Sequence, residues 1–378
     1  HVSVAYKISN KLIIPIQFER TSTDIFRINI MSLFSALNTS TNGLRYTHDA
    51  LGLLSQNVAN ASNPNYVRRE YVFDQGLQGS TIRRALEPYV QRQMWRESAN
   101  SGYSSAQSDI MSQLDQLYGS PDSKTNLSSS YNAFYFAFQA LRSDPSSSTQ
   151  QSTLLSTAKL FASRLNSMSD NVQALRTGVE EAIGSATLEA DHALQSIAEL
   201  NRQITHAGSL PDPSLLDARD QAIKTLSGLL DVTITQAPDG GVSITTSNGN
   251  TLLDASGARS LSFDSHAPLD ARSTYQSASA SRTVGTISLT SGGVDSVDLI
   301  AAGAIKSGRL AGLIDARDHV LVAAQAQLDD IAAGLSSALS DTDRASTAVP
   351  GGQELDLTGL QPGNRIKPVS YTHLRAHE

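Results

Sequence analysis

Between Leu33 and Tyr66 the apolar positions keep a strict seven-residue spacing, Leu37, Leu44, Leu51 and Val58, with mostly polar residues between them. That spacing predicts a helix with one narrow apolar seam, the pattern of a helix that packs against other helices. The run Asn57-Val58-Ala59-Asn60-Ala61-Ser62-Asn63-Pro64-Asn65-Tyr66 ends it. Asn tolerates a left-handed helix end, and Pro64 pushes Asn63 out of the helical region. A seam this narrow buries little within one chain, so it reads as an assembly device. The plainer alternative is an ordinary capped surface helix.

Residues 67–95 alternate through Tyr71-Val72-Phe73 and Tyr89-Val90 and carry Gly76 and Gly79, which predicts an extended, partly β connector. Helical spacing resumes over 96–118 (Ala106, Ile110, Leu114, Leu117) and over about 127–142, where Tyr131, Phe134, Phe138 and Leu141 share a face and read as core. The longest helix starts at Ser148, with Ser148 and Gln151 in capping-box spacing, and ends at Gly208 and Pro211. Its seam runs from Leu154 through Phe161, Leu165, Met168, Val172, Val179, Ala186 and Ile197 to Ile204. At 1.5 Å per residue it would be on the order of 85 Å long, more a fibrous subunit's rod than an enzyme's helix.

A further helix, capped at Ser214, carries Leu216, Ile223, Leu226 and Leu230; from Asp231 the period changes to two. Turns at Pro238-Asp239-Gly240-Gly241 and Asn248-Gly249 predict hairpins, and strand-like pieces recur at 259–263 and 285–290. Helix returns over 303–342, with Leu310, Ile314, Arg317, Leu321 and Leu328 on its seam. The fold class is therefore mainly α: a coiled-coil-like bundle of long helices with a small β-rich insertion and an N-terminal heptad helix. The expected parts are an axial helix and connector over 31–95, a helical bundle over 96–342 and a β insertion over 231–300.

One hexapeptide recurs: Leu215-Leu216-Asp217-Ala218-Arg219-Asp220 returns as Leu313-Ile314-Asp315-Ala316-Arg317-Asp318. Carboxylate–Arg–carboxylate clusters shift pKa values and can be catalytic, or they can lock helices through charge-assisted hydrogen bonds. Neither copy has a nearby nucleophile elbow or phosphate loop. Asp217, Arg219, Asp220, Asp315, Arg317 and Asp318 are therefore expected to form structural ion pairs, with each Arg near a carboxylate.

Composition narrows the classes further. At net charge −7 with 17% charged residues, the chain has no basic stretch dense enough for nucleic acid. No run approaches the roughly 18 apolar residues of a membrane span. Cysteine is absent, which suits a chain exported unfolded and assembled outside the cell. No catalytic, cofactor or metal constellation stands at persuasive spacing, and no cofactor is expected. The ends look foreign. Residues 1–30 show no helical period and precede the natural-looking start Met31-Ser32-Leu33-Phe34, so they read as an upstream extension without signal-peptide character. Residues 366–378 read as a non-native tail whose Ser370–Glu378 run resembles a translated adapter; its His373 and His377 stand at a spacing that lacks the Glu of a zinc protease.

The Asn57–Tyr66 run resembles the signature of the flagellar axial proteins, the rod, hook and hook-associated family. Asn57, Ala59, Asn60, Pro64 and Tyr66 match; Val58, Asn63 and Asn65 depart from its Ile, Thr and Gly. Asp144-Pro145, the segments Leu215–Asp220 and Leu226–Ile234, and the segment Gly308–Asp318 resemble the hook-associated branch at the hook–filament junction. The resemblance spans Met31 to about Gly363. It implies an extracellular structural subunit of the bacterial flagellum, exported without a cleaved signal peptide, that joins hook to filament by helical self-assembly without catalysis. The implied partners are further copies of itself, the hook protein, the second junction protein, and the export apparatus with its chaperone. It also implies that 343–365 begins an outer domain and that a C-terminal helix pairs with the N-terminal one. The alternatives are another axial subunit of hook or rod type, or a secreted cell-wall hydrolase.

Overall fold

The computed structural model describes residues 3–8, 12–17, 22–63, 66–74, 79–120, 122–123, 126–208, 211–291, 295–340 and 345–358. Pro64, residues 359–365 and the 366–378 tail lie outside the described residues. By contacts the chain forms two units, residues 1–323 and residues 324–378.

The first unit begins with an antiparallel hairpin, β1 (Ser3–Ile8) and β2 (Leu12–Gln17). Helix α1 follows over Ser22–Ala59, so it starts inside the segment expected to lack helical structure. Extending an existing helix needs no new nucleus, so a stretch without its own apolar period can continue one. The connector is shorter than expected. A hairpin of β3 (Arg69–Asp74) and β4 (Gly79–Arg84) leads directly into α2 (Pro88–Tyr118). Pro88 opens the first turn, where its missing N–H has no partner to lose and its fixed φ suits a helix. Tyr89 and Val90, expected in extended chain, are thus helical.

Helix α3 spans Leu127–Ser143, and α4 spans Ser148–Ala207, 60 residues. The α4 cap is Ser147 rather than Ser148: its hydroxyl accepts from the Gln150 N–H, while the Gln151 amide turns back to the Pro145 carbonyl at 2.9 Å. Gly208, at φ 70°, ends α4. Helix α5 (Pro213–Leu229) is capped by Asp212, not Ser214; its carboxylate accepts from the Ser214 N–H at 2.8 Å.

The β insertion comprises two antiparallel sheets. One orders β5 (Val232–Gln236), β6 (Val242–Thr246), β7 (Thr251–Asp254) and β8 (Gly257–Ala258) in sequence. The other places β10 (Thr286–Ser291) between β9 (Ser260–Asp264) and β11 (Asp295–Asp298). The insertion runs alongside the C-terminal half of α4. Asn201 receives the Val242 N–H, Asp191 the Leu261 N–H, Glu180 the His266 N–H and Thr177 the Leu269 N–H. Those residues span ~36 Å of helix at its standard rise.

This placement explains a change of pattern along α4. Its N-terminal half buries one stripe, Phe161, Leu165, Met168 and Val172; between Val179 and Ile197 the helix buries nearly two residues per turn, adding Glu180, Ile183, Ala186, Thr187, Ala190, Ala193 and Leu194. One stripe faces helices and the other faces the insertion. The aromatic face of α3 is only partly core: Phe134 is buried, whereas Tyr131 and Phe138 are exposed.

Helix is then continuous in backbone but not in type. After α6 (Gly308–Asp315) comes a π-helical turn, Ala316–Val320, and then α7 (Leu321–Ser340). Contacts pair Arg309 with Glu189 and Arg317 with Glu180, so α6 runs antiparallel to α4. Glycines let these helices close in. A Cβ on Gly102 of α2 would strike the Gly228 carbonyl of α5, and one on Gly312 of α6 would lie 2.8 Å from the Tyr103 carbonyl of α2. The second unit contains the hairpin β12 (Thr347–Val349) and β13 (Gly352–Glu354).

Candidate assembly site

Helix α1 presents two different faces. Leu37, Leu44, Leu51 and Val58 are 59%, 72%, 61% and 68% exposed, as is most of Leu33, Phe34 and Leu54. The opposite face carries Tyr46, Asp49, Leu53 and Asn57, again at three- and four-residue steps, and it is occupied. The Tyr46 and Tyr71 rings lie 5.2 Å apart, the Tyr71 hydroxyl donates to Asp49 at 3.1 Å, and Leu53 is buried. Strand β3 thus covers one side of the helix, and among the described residues the heptad seam is exposed.

Asn57 has a use that its helix-end position did not disclose. Its amide donates to the Arg69 carbonyl at 2.9 Å, and its Oδ1 accepts from the Arg69 N–H at 3.0 Å. A side chain thereby replaces a neighbouring strand for one residue of β3. The Tyr66 hydroxyl donates to the same Oδ1 at 2.9 Å, and the Arg69 guanidinium stands over the Tyr66 ring, 5.0 Å from its centroid. Asn60 closes the helix through its amide to the Gln56 carbonyl, and Ala59 is exposed.

From Arg69 the contacts lead to the first hexapeptide. Arg69 and Arg84 are cross-strand partners in the β3–β4 hairpin, a juxtaposition of like charges that is unfavourable by itself. Asp217 stands between them: Arg69 Nη2 donates to its Oδ2 at 3.0 Å, and Arg84 Nε lies 2.9 Å from its Oδ1, out of line for a hydrogen bond. Arg84 also pairs with Asp220. The four side chains are 10–16% exposed. Sequence reasoning passed over Arg69 and Arg84; an Arg at each end of a short alternating hairpin was the available signal.

The two hexapeptide arginines point elsewhere, into the insertion. Arg317 is fully buried and pairs with buried Glu180 at 2.7 Å and with Asp318 through both Nε and Nη2. Its Nη1 also donates to the Gly285 carbonyl at 2.8 Å, while Glu180 Oε1 accepts the Gly285 N–H at 2.7 Å. Burial alone would lower the Arg317 pKa, but the charges of Asp318 and Glu180 raise it. Arg219 departs from expectation, because no carboxylate lies within ion-pair distance among the described residues. Its Nη1 donates to the Gly240 carbonyl at 2.7 Å and to Asn201 Oδ1 at 3.3 Å, and Asn201 Oδ1 also accepts the Val242 N–H at 2.7 Å. Burial pushes its pKa down, partly offset by the charge of Asp220.

The two copies therefore share a device: an Arg on a glycine carbonyl of the insertion, braced by a polar residue of α4. Asp315 has a separate task, accepting from Tyr103 at 3.1 Å and Gln107 at 2.7 Å on α2, with His319 at 2.9 Å from its other oxygen. A third buried guanidinium, Arg176, donates to the Asp270, Ser273 and Arg317 carbonyls. Among the described residues, no group of three or more His, Cys, Asp or Glu could hold a metal ion.

Residues 111–357 match the family described as flagellar hook-associated protein FlgK helical domain. The chain belongs to that family. Relatives are named flagellar hook-associated protein 1. That of Salmonella typhimurium is 26% identical over 245 residues, 60% of this chain and 44% of its own. That of Escherichia coli is 23% identical over 329 residues, 82% of this chain and 57% of its own, and that of Bacillus subtilis is 22% identical over 246 residues. The chain spans about half the length of these relatives. The solved flagellar hook junction protein FlgK from Burkholderia pseudomallei shares the fold, with a TM-score of 0.54 and 24% identity over 65% of this chain and 42% of that one.

Proposed function

We propose that this FlgK-family chain is a structural subunit of the bacterial flagellum at the junction of hook and filament, working by helical self-assembly and without catalysis. One observation supports this above the others: the heptad seam of α1 is exposed while the opposite face of the same helix is held by β3. Identical subunits repeating one head-to-tail contact along a screw axis build an open tube, and an apolar stripe unused within the chain supplies such a contact. The partners that fit are further copies, the hook protein and the second junction protein, reached after export in an unfolded, chaperoned state. No helix among the described residues is long and apolar enough to cross a membrane.

Leu44→Asp together with Leu51→Asp is expected to abolish incorporation into flagella while the helical bundle keeps its melting temperature. Normal incorporation of the double variant would sink the reading. A strain lacking the gene should show hooks without filaments by electron microscopy.

A further inference from the structure

We propose that Asn57, Tyr66, Arg69 and Arg84, with Asp217 and Asp220, form an angular joint that fixes the direction in which the seam helix leaves the body. They are positioning residues, and the proposal rests on α1 being the assembly element.

The connection runs in series: α1 holds β3 through Asn57, and the β3–β4 hairpin holds α5 through Arg69 and Arg84. Little apolar burial supports it. Leu53 is the core residue that α1 contributes among the described side chains, and Ile82 of β4 is exposed. Apolar contact is non-directional and would let a long helix swing, whereas hydrogen bonds constrain angle as well as distance. Asn57 bonds both polar groups of one residue, which fixes how that residue sits on the helix. Asp217 accepts from Arg69 and Asp220 accepts from Arg84, the two members of a like-charged cross-strand pair, which fixes how the hairpin sits on α5. Tyr66 joins the two halves by bonding Asn57 and stacking under Arg69. A small angular error at the joint becomes a large displacement at the far end of α1, which at 38 residues is ~57 Å long. Repeating contacts in a tube would not tolerate it. The axial motif and the first hexapeptide, far apart in sequence, are on this reading two ends of one mechanism.

The chain has no cysteine, so spin labels at Ser40→Cys on α1 and Gln195→Cys on α4 report one distance by pulsed EPR. A narrow distribution is expected in the full chain otherwise unchanged. Asn57→Ala, and separately Asp217→Asn with Asp220→Asn, should broaden it at least twofold at unchanged helix content and body melting temperature. Tyr66→Phe should broaden it less. Unchanged widths in every folded variant would overturn the joint; if the Asp variants unfold, Asn57→Ala and Tyr66→Phe decide. Leu44→Asp with Leu51→Asp should leave the width unchanged, so failure of the assembly reading and failure of the joint are separable.

Discussion

Arg219 and Arg317 occupy the same place in matching hexapeptides, yet removing them should not be equivalent. Arg317 sits on a carboxylate that is itself fully buried, so Arg317→Met strands a charge, at a cost of about 3–5 kcal/mol. Arg219 bonds neutral acceptors, so Arg219→Met leaves unpaired polar groups only, at a cost of about 1–3 kcal/mol. Urea denaturation of the two variants checks this, and equal losses would contradict it. A second prediction concerns pH. Asp212 is held below the usual carboxylate range chiefly by the Ser214 N–H, Asp254 chiefly by the Ser256 hydroxyl, and Asp270 chiefly by the Ser273 hydroxyl. A depressed folded-state pKa stabilises above the unfolded value, about 4, and that contribution fades as pH falls through the folded value. Melting temperature should therefore not change on account of these groups between pH 7 and 5, and should decline below about pH 4. Asp212→Ala should flatten part of that decline.

At the scale of elements, the bundle depends on close approach more than on large side chains. Gly102 lets α2 meet α5, and Gly312 lets α6 meet α2, each with a neighbouring main chain where a Cβ would stand. Gly312→Ala is expected to cost about 1–3 kcal/mol by overpacking, whereas Gly178→Ala, with open space at its Cβ, should be neutral or stabilising. Thermal melts of the pair separate a packing requirement from a helix-propensity effect. The legibility of elements follows the same physics. Single-seam helices such as α3 and the first half of α4 were readable because one apolar stripe has one period. The second half of α4 is covered on two sides, and its buried Glu180 and Thr187 carry no apolar signal. The π turn at Ala316–Val320 was equally silent, because a single wide turn barely shifts a helical pattern.

For the whole molecule, the relevant division is between surfaces satisfied within the chain and surfaces left over. The insertion is pinned to α4 at Glu180 and Asn201, ~31 Å apart along the helix, by the two hexapeptide arginines. The body is thus braced along its length, while the α1 seam has no cover from residues of this chain among those described. The loss of incorporation expected for the Leu44 and Leu51 double variant belongs to this scale: it should change assembly and leave the monomer's melt alone.

The sequence by itself determined the mainly helical class, the order of the helices, the hairpin turns at Gly240 and Gly249, and the heptad spacing, because periodicity and turn chemistry are local properties. It also marked the repeated hexapeptide. What the repeat does was decided only by the tertiary structure. Gly240, Gly285, Asn201 and Glu180 are distant in the chain and become partners of Arg219 and Arg317 only when the insertion lies along α4. Arg69 and Arg84 gain meaning only opposite Asp217, and Asn57 only beside β3. Side-chain to main-chain hydrogen bonds across such separations leave no period in the sequence, since any residue's carbonyl or N–H can serve as the partner.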